Sequence, residues 1–166
     1  MKIVTKKEVS DEHWAHLTQW RERIFPEEGI GKEWTSTSWH ALAYADDNHP
    51  AGHIGFDGFT VRVDSAKHLM IGIGGVVVRP EYQGRGIPAL LFDEVHHQGK
   101  KEFNSEVFAL FCPSRLVSYY QRHGYRAHTG SVHILQRGIK TPSSFAFMVR
   151  GNIAPDSAIE LKSAPW

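Results

Sequence analysis

The chain has 166 residues, a formal net charge of +1, 41% hydrophobic and 22% charged residues. That length is one domain's worth, able to bury roughly two-thirds of its unfolded surface, and the near-neutral charge argues against bulk electrostatic binding to nucleic acid. The single cysteine, Cys112, excludes an internal disulfide and fits a reducing compartment. The first residues lack a signal-peptide pattern and no apolar run reaches the length of a membrane span. The expectation is one cytoplasmic domain over residues 1–166, with no membrane or nucleic-acid partner.

The stretch 2–9, KIVTKKEV, reads as a first strand. Ser10 has the chemistry of an N-cap, and Asp11 and Glu12 suit a first helical turn. Trp14, Leu17, Trp20 and Ile24 recur at helical spacing, which predicts a helix over 11–25 that Pro26 ends. PEEGIGKEW is an acidic, glycine-containing loop, with a short helical turn expected over 33–38. WHALAYA (39–45) reads as a strand, and DDNHP as a turn between antiparallel strands. AGHIGFDGFTVRVD forms a long strand in which Gly55 and Gly58 suggest a bulge. SAK turns the chain, and HLMIGIGGVVV is apolar enough to be buried on both faces. After RPEYQGRGIPAL (79–90), Ile87, Leu90, Leu91 and Val95 keep a helical period. EVFALF (106–111) is a strand. SRLVSYYQRH (114–123) is a helix, with Ser114 at its N-cap and Gly124 at C′. SVHIL and FAFMVR supply two more strands. The fold class is therefore α+β, a mixed and mostly antiparallel sheet flanked by helices.

Eleven histidines raise the question of a metal. His96 and His97 are adjacent, so on a helix they point about 100° apart. His13 and His16 share a face, but no carboxylate–histidine signature accompanies them and a zinc site needs three or four protein ligands. No metal is expected.

The segment 79–90 carries the chemistry. A glycine-rich turn between a strand and a helix aims several backbone N–H groups at one point, beside the positive end of the helix dipole. Gly84 and Gly86 lack the Cβ atoms that would block close approach, Arg85 adds a mobile charge and Gln83 a polar lid. The turn suits a phosphate or diphosphate. It has no Gly-Lys-Ser/Thr for a P-loop and lacks the third glycine of a dinucleotide fingerprint.

VVVRPEYQGRGIPALL resembles the acyl-coenzyme-A signature of the GNAT acetyltransferase superfamily: a strand ending in V-x-P, then Q-x-x-G-x-G/A, then a helix. The resemblance implies the GNAT acyl-CoA N-acyltransferase fold and acetyl-CoA as co-substrate. The strand Val76, Val77, Val78 would pair with the pantetheine arm, and the amides of Gln83, Gly84, Arg85, Gly86 and Ile87 would hold the diphosphate. Pro88 departs from the usual Gly or Ala and removes one N–H, although proline suits a first helical turn. ALFCPSRLVSYYQRHGYR resembles the superfamily's later strand, helix and aromatic turn. There the tyrosine four residues before the glycine, Tyr120, faces the thioester sulfur as general acid; Tyr119 is read as a packing residue.

A further resemblance, spread over most of the chain, is to the aminoglycoside 2′-N-acetyltransferases. It rests on HAL (40–42), His53, the tail SVHILQRGIKTP, the loop FPEEGIGKEW and the terminal Trp166. It implies a small-molecule amine acceptor faced by Glu28, Glu33, Gly75 and Trp166, whose indole is expected to dock and carry its α-carboxylate to the border of the acceptor pocket. The family's carboxylate on the strand before the signature falls on Gly74. Its acidic cluster after the T-P turn becomes Ser143 and Ser144, and its aspartate near the terminus becomes Ala164-Pro165. The general base is left open among Glu28, Glu33, Asp57 and ordered water. Two alternatives stand beside an amino-sugar transferase: a non-catalytic acyl-CoA-binding regulator, and a transferase for a peptide N-terminus or polyamine. A homodimer is left open.

Overall fold

Ten strands and three α-helices occupy residues 1–19, 29–45 and 48–166, the parts of the chain that the computed structural model describes. In chain order they are β1 (Lys2–Lys6), α1 (Asp11–Thr18), β2 (Trp39–Tyr44), β3 (Pro50–Val63), β4 (Ala66–Val78), α2 (Ile87–Phe103), β5 (Phe108–Cys112), α3 (Val117–Gln121), β6 (Arg126–Ala127), β7 (Val132–Gln136), β8 (Ile139–Pro142), β9 (Ala146–Arg150) and β10 (Ile159–Leu161). β1 to β4 form an antiparallel meander, β5 runs parallel to β4, and β9 and β6 continue the sheet antiparallel. β10 pairs antiparallel with the end of β3 and parallel with β7, which carries the β8 hairpin.

Alternation along the strands gives the sheet two buried faces. Phe108, Leu110 and Cys112 of β5 pack in one cluster with Met148 and the buried side of α2. Ala109 and Phe111 pack on the other face with Phe147, Val149 and Trp166. A third cluster of Leu17, Leu42 and Val77 seats α1. α2 buries Ile87, Leu91, Phe92, Val95 and Gly99. Leu90 is 44% exposed. The helical period alone fits a stripe through Leu90 or one through Phe92, and contact with the sheet selects Phe92.

Ser10 caps α1 as expected, its Oγ accepting from the His13 amide at 3.3 Å. The expected helical residues Trp20 and Ile24, with Pro26 and Glu28, lie outside the described residues. The helical turn expected over 33–38 does not form. Thr35 instead donates its amide to Pro165 O at 2.7 Å and its hydroxyl to Ala164 O at 2.8 Å, which draws this loop out along the C-terminal tail. The hairpin after β3 turns on Asp64 and Ser65, both at positive φ, so Ala66 and Lys67 belong to β4. The helix expected over 114–123 opens as a 3-10 turn, Ser114–Leu116, behind Pro113, and Ser114 makes no cap. Gly124 takes the expected left-handed conformation after α3. β6, β8 and β10 were not expected.

Candidate active site

β4 and β5 pair only at Ile71↔Phe108, Gly72↔Ala109 and Ile73↔Leu110. β4 runs on to Val78 and β5 to Cys112 without a shared ladder, so the two strands part and open a cleft with one unpaired backbone edge on each side. The cause lies across β4. His53 pairs with Val77 but Gly55 pairs with Gly74, so three steps on β4 answer two on β3. The register shifts beside Gly55, one of the two glycines expected to mark a bulge, while Gly58 pairs regularly; the extra residue is on β4 at Gly75, whose φ of +60° suits glycine.

Two histidines hold that bulge. His53 Nδ1 lies 2.7 Å from Gly75 O, and its Nε2 lies 3.0 Å from Nδ1 of His40. A carbonyl only accepts, so His53 carries its hydrogen on Nδ1 and accepts on Nε2 from His40 Nδ1–H. With one nitrogen donating and the other accepting, the His53 ring is neutral in this chain of bonds. Burial pushes His53 down to about 4, partly opposed by its bond to Gly75, and burial also lowers His40 against the pull of Asp57. The folded pKa of His53 is thus below its unfolded value, and the unfolded chain takes up protons first as pH falls. Stability is therefore expected to rise with pH between about 4 and 6.5, with His53 alone contributing about 3 kcal/mol across that window. His96, also pushed to about 4 by burial, adds in the same direction. Urea unfolding at pH 4.5 and 7 checks the slope, which His53→Gln should reduce.

The turn after β4 has the form expected of an anion cradle. Gly84 and Gly86 sit at φ +75° and +74° with nothing within 4 Å of where a Cβ would project. Gly86 is the N-cap of α2 and supplies no side-chain cap, so the first-turn amides remain open, apart from Pro88, which has none. Arg85 and Arg79, the latter ion-paired to Glu81, lie over the Tyr82 ring at 5.3 and 5.4 Å from its centre. Gln83 is exposed and folds back on the strand: its Nε2 donates to Val78 O at 3.1 Å, so it braces the strand end. Val76 lies half-buried on the open stretch of β4, whereas the Val77 and Val78 side chains are buried. Gly86→Val is expected to weaken coenzyme A binding by obstructing backbone approach, and calorimetry on the folded variant checks it.

Tyr120 of α3 is 7% exposed and packs edge-on against Phe92 and Tyr119, at 6.1 and 5.0 Å between ring centres. Burial, then Tyr119 and Cys112, push its phenol well above the ordinary tyrosine range, so it holds its proton at any working pH. Tyr119 is half-buried, and its phenol is raised by burial as well.

The residues expected to face an acceptor make their hydrogen bonds and ring contacts within the fold. Glu33 spends Oε2 on the Arg137 amide at 2.7 Å, while its own amide and carbonyl bond the Gln136 side chain at 3.0 Å each. It clamps its loop to the turn between β7 and β8. Asp57 accepts from the Ser38 amide at 3.0 Å and the Gly58 amide at 2.9 Å. Trp166 is 3% exposed. Its indole stacks on Phe59 at 4.4 Å, meets Phe111 edge-on at 5.6 Å and donates from Nε1 to Ala109 O at 3.0 Å. A Cβ on Gly72 would fall inside that indole, and one on Gly74 would come within 2.9 Å of the Trp166 carbonyl carbon. Gly72 and Gly74 share one face of β4, and together they seat the last residue. Position 74 has no room for a carboxylate side chain because the Trp166 main chain already lies there. The signal for this in the sequence was the spacing Gly72-x-Gly74 in a strand, which marks close approach by other backbone.

The cleft, the bulge and the glycine-rich helix start can be set against known proteins. The sequence model described as Acetyltransferase (GNAT) domain matches residues 5–141. No curated protein matches the chain in sequence. Among solved structures, the Escherichia coli GNAT family N-acetyltransferase YhbS, in complex with CoA, superposes with a TM-score of 0.61 at 17% identity, covering 96% of this chain and 89% of its own. A Brucella melitensis GNAT family acetyltransferase in complex with acetyl-CoA gives 0.57 at 19%, covering 95% and 94%. A Pseudomonas aeruginosa acyl-CoA N-acyltransferase gives 0.58 at 18%, covering 90% and 99%. These identities speak for the fold, the family match spans most of the chain, and both agree with the open strand edge and the amide cradle: the chain belongs to the GNAT family of acetyl-CoA-dependent N-acetyltransferases.

Proposed function

We propose that this chain transfers the acetyl group of acetyl-CoA to a primary amine of a small molecule in the cleft between β4 and β5. The observation that carries the reading is the bulge at Gly75 beside the parted strands, with the amide cradle of residues 83–87 following the end of β4; Tyr120 enters the reading through the resemblance in sequence. Pantetheine would lie along the outer edge of β4 from Val76 toward Val78, whose carbonyl Gln83 already holds, like an added strand, with its diphosphate on the open first turn of α2. A neutral amine attacks the thioester carbonyl. The oxyanion is met by a backbone amide near Val76, in a bulge that His53 keeps in one orientation. The tetrahedral intermediate collapses, the C–S bond breaks, and Tyr120 gives its proton to the departing sulfur. Holding donor and acceptor together in the cleft supplies a large share of the rate.

Glu33 and Asp57 are both engaged by backbone amides, which favours ordered water as the carrier of the amine proton over either carboxylate. An aminoglycoside-like amino sugar as acceptor rests on the resemblance in sequence alone. In that reading Gly75, Trp166 and the loop that Glu33 anchors border the acceptor, with less negative charge than an aminoglycoside enzyme presents. A screen of amino sugars, polyamines and peptide N-termini against acetyl-CoA, read as free thiol released, tests the proposal. Turnover of one class names the acceptor. Tight coenzyme A binding with no thiol release from any amine would replace the transferase by an acyl-CoA-binding regulator.

A further inference from the structure

Spacing along the chain gives His13 and His16 no further ligand, but the fold brings one from elsewhere. Glu12 and His16 are four residues apart on one face of α1. The turn between β2 and β3 lays His49 against them. Its ring stacks on that of His16 at 3.7 Å between centres, and its Nδ1 lies 3.9 Å from Oε1 of Glu12. One ligating atom from each of the three lies within 4.8 Å of the other two. His16 Nδ1 is buried and meets no hydrogen-bond partner among the described residues. His13 stands apart from this set: its Nδ1 is 3.1 Å from the Tyr44 hydroxyl, and its ring meets His49 only edge-on at 6.3 Å.

We propose that Glu12, His16 and His49 bind a divalent transition-metal ion of the zinc class, with water completing the coordination. Two imidazoles and one carboxylate form a donor set that suits zinc, cobalt, nickel or copper, whereas calcium and magnesium require mostly oxygen ligands. Zinc–nitrogen bonds of about 2.0–2.1 Å put tetrahedral neighbours about 3.3 Å apart. The three groups therefore need to close from as much as 4.8 Å, and because the two imidazoles are stacked their in-plane lone pairs run nearly parallel, so one ring has to turn out of the stack while the exposed Glu12 side chain swings in. The ion would clip α1 to the β2–β3 turn. That helix carries Trp14, whose ring packs edge-on against His40 and His53 at 5.4 and 4.9 Å, the pair that holds the Gly75 bulge. Metal binding would thus stiffen the wall behind the cleft, whatever the acceptor is.

Cobalt(II) is the probe, because its visible bands report ligand number directly, and zinc-dependent thermal unfolding is the second readout. The full chain is expected to take up one equivalent of cobalt with tetrahedral-type bands, and to melt higher with zinc than with a chelator. His49→Ala and Glu12→Gln should each weaken cobalt binding by at least about tenfold, the lower bound found even for groups that only support a ligand. His97→Ala, at an exposed histidine outside the cluster, should leave it unchanged. Glu12→Gln keeps the shape of an exposed side chain, so it carries the test if the histidine variant fails to fold. Full-strength binding in both cluster variants would place the ion on other histidines and overturn the proposal. So would the absence of saturable binding by the native chain.

Discussion

Tyr120→Phe is expected to lower kcat by about 10²- to 10⁴-fold while leaving coenzyme A affinity within a few-fold, the range for loss of a general acid. The reasoning starts from burial. The phenol sits in the core with Phe92, Tyr119 and Cys112 around it, and its ionised form is strongly disfavoured there. A group that keeps its proton throughout the working range is always in the donating state, so a basic limb in the pH profile of kcat would belong to another group. The driving force comes from the sulfur, which is a poor acceptor in the thioester and a strong one as the C–S bond breaks. Tyr119→Phe should matter far less, since that ring is half-buried beside Arg122 and His123. Steady-state kinetics of both variants, with coenzyme A affinity measured in parallel, check the pair. Equal activity of Tyr120→Phe and the native chain would remove the phenol from the rate-limiting step.

What could be read ahead of the structure was local. The cradle of residues 83–87 depends on glycines, a helix start and a preceding apolar strand, all within a dozen positions, and each part formed. The long hairpin of β3 and β4 was legible for the same reason. β6 and β10 were not, because two or three residues carry no period. They exist only because β9, β3 and β7 offer them partners distant in sequence. β8 is short and mostly exposed, Ile139 included, and the turn at Arg137 and Gly138 places it. The acceptor side was least legible. Glu33 has the composition of a substrate carboxylate, and only the fold reveals that it clamps the β7–β8 turn. The histidines divide likewise. His40 and His53 meet because β2 and β3 pair, and His49 reaches His16 only through the hairpin that follows β2. No spacing rule along the chain connects either pair. A wrong helix over 33–38 has the same origin, since the tail that holds Thr35 extended lies at the far end of the sequence.

Trp166→Ala is expected to cost about 3–5 kcal/mol, the range for emptying a buried tryptophan site. In a domain of this size that lowers the melting temperature by roughly 10 °C. The indole fills the face of the sheet between Phe59 and Phe111, and its Nε1 satisfies the Ala109 carbonyl, which would otherwise be left buried with one partner fewer. Nothing else can fill the gap cheaply, because Gly72 and Gly74 beneath it have no side chains to expand. The same seat bears on the acceptor. The Trp166 main chain crosses Gly74, on the residue before the Gly75 bulge, and the preceding Ala164 and Pro165 hold Thr35 of the loop that Glu33 anchors. Loss of the ring should therefore loosen that wall as well as the core. Trp166→Phe separates the two effects. It keeps an aromatic ring against Phe59 and Phe111 but gives up the Nε1 bond, so it should lose less stability than alanine. KM for the best amine is then measured on this folded variant. A rise in KM larger than the loss of stability can explain supports Trp166 as a border of the acceptor pocket. An unchanged KM with lowered stability would make it a structural plug, and would remove the strongest link to an aminoglycoside-like acceptor.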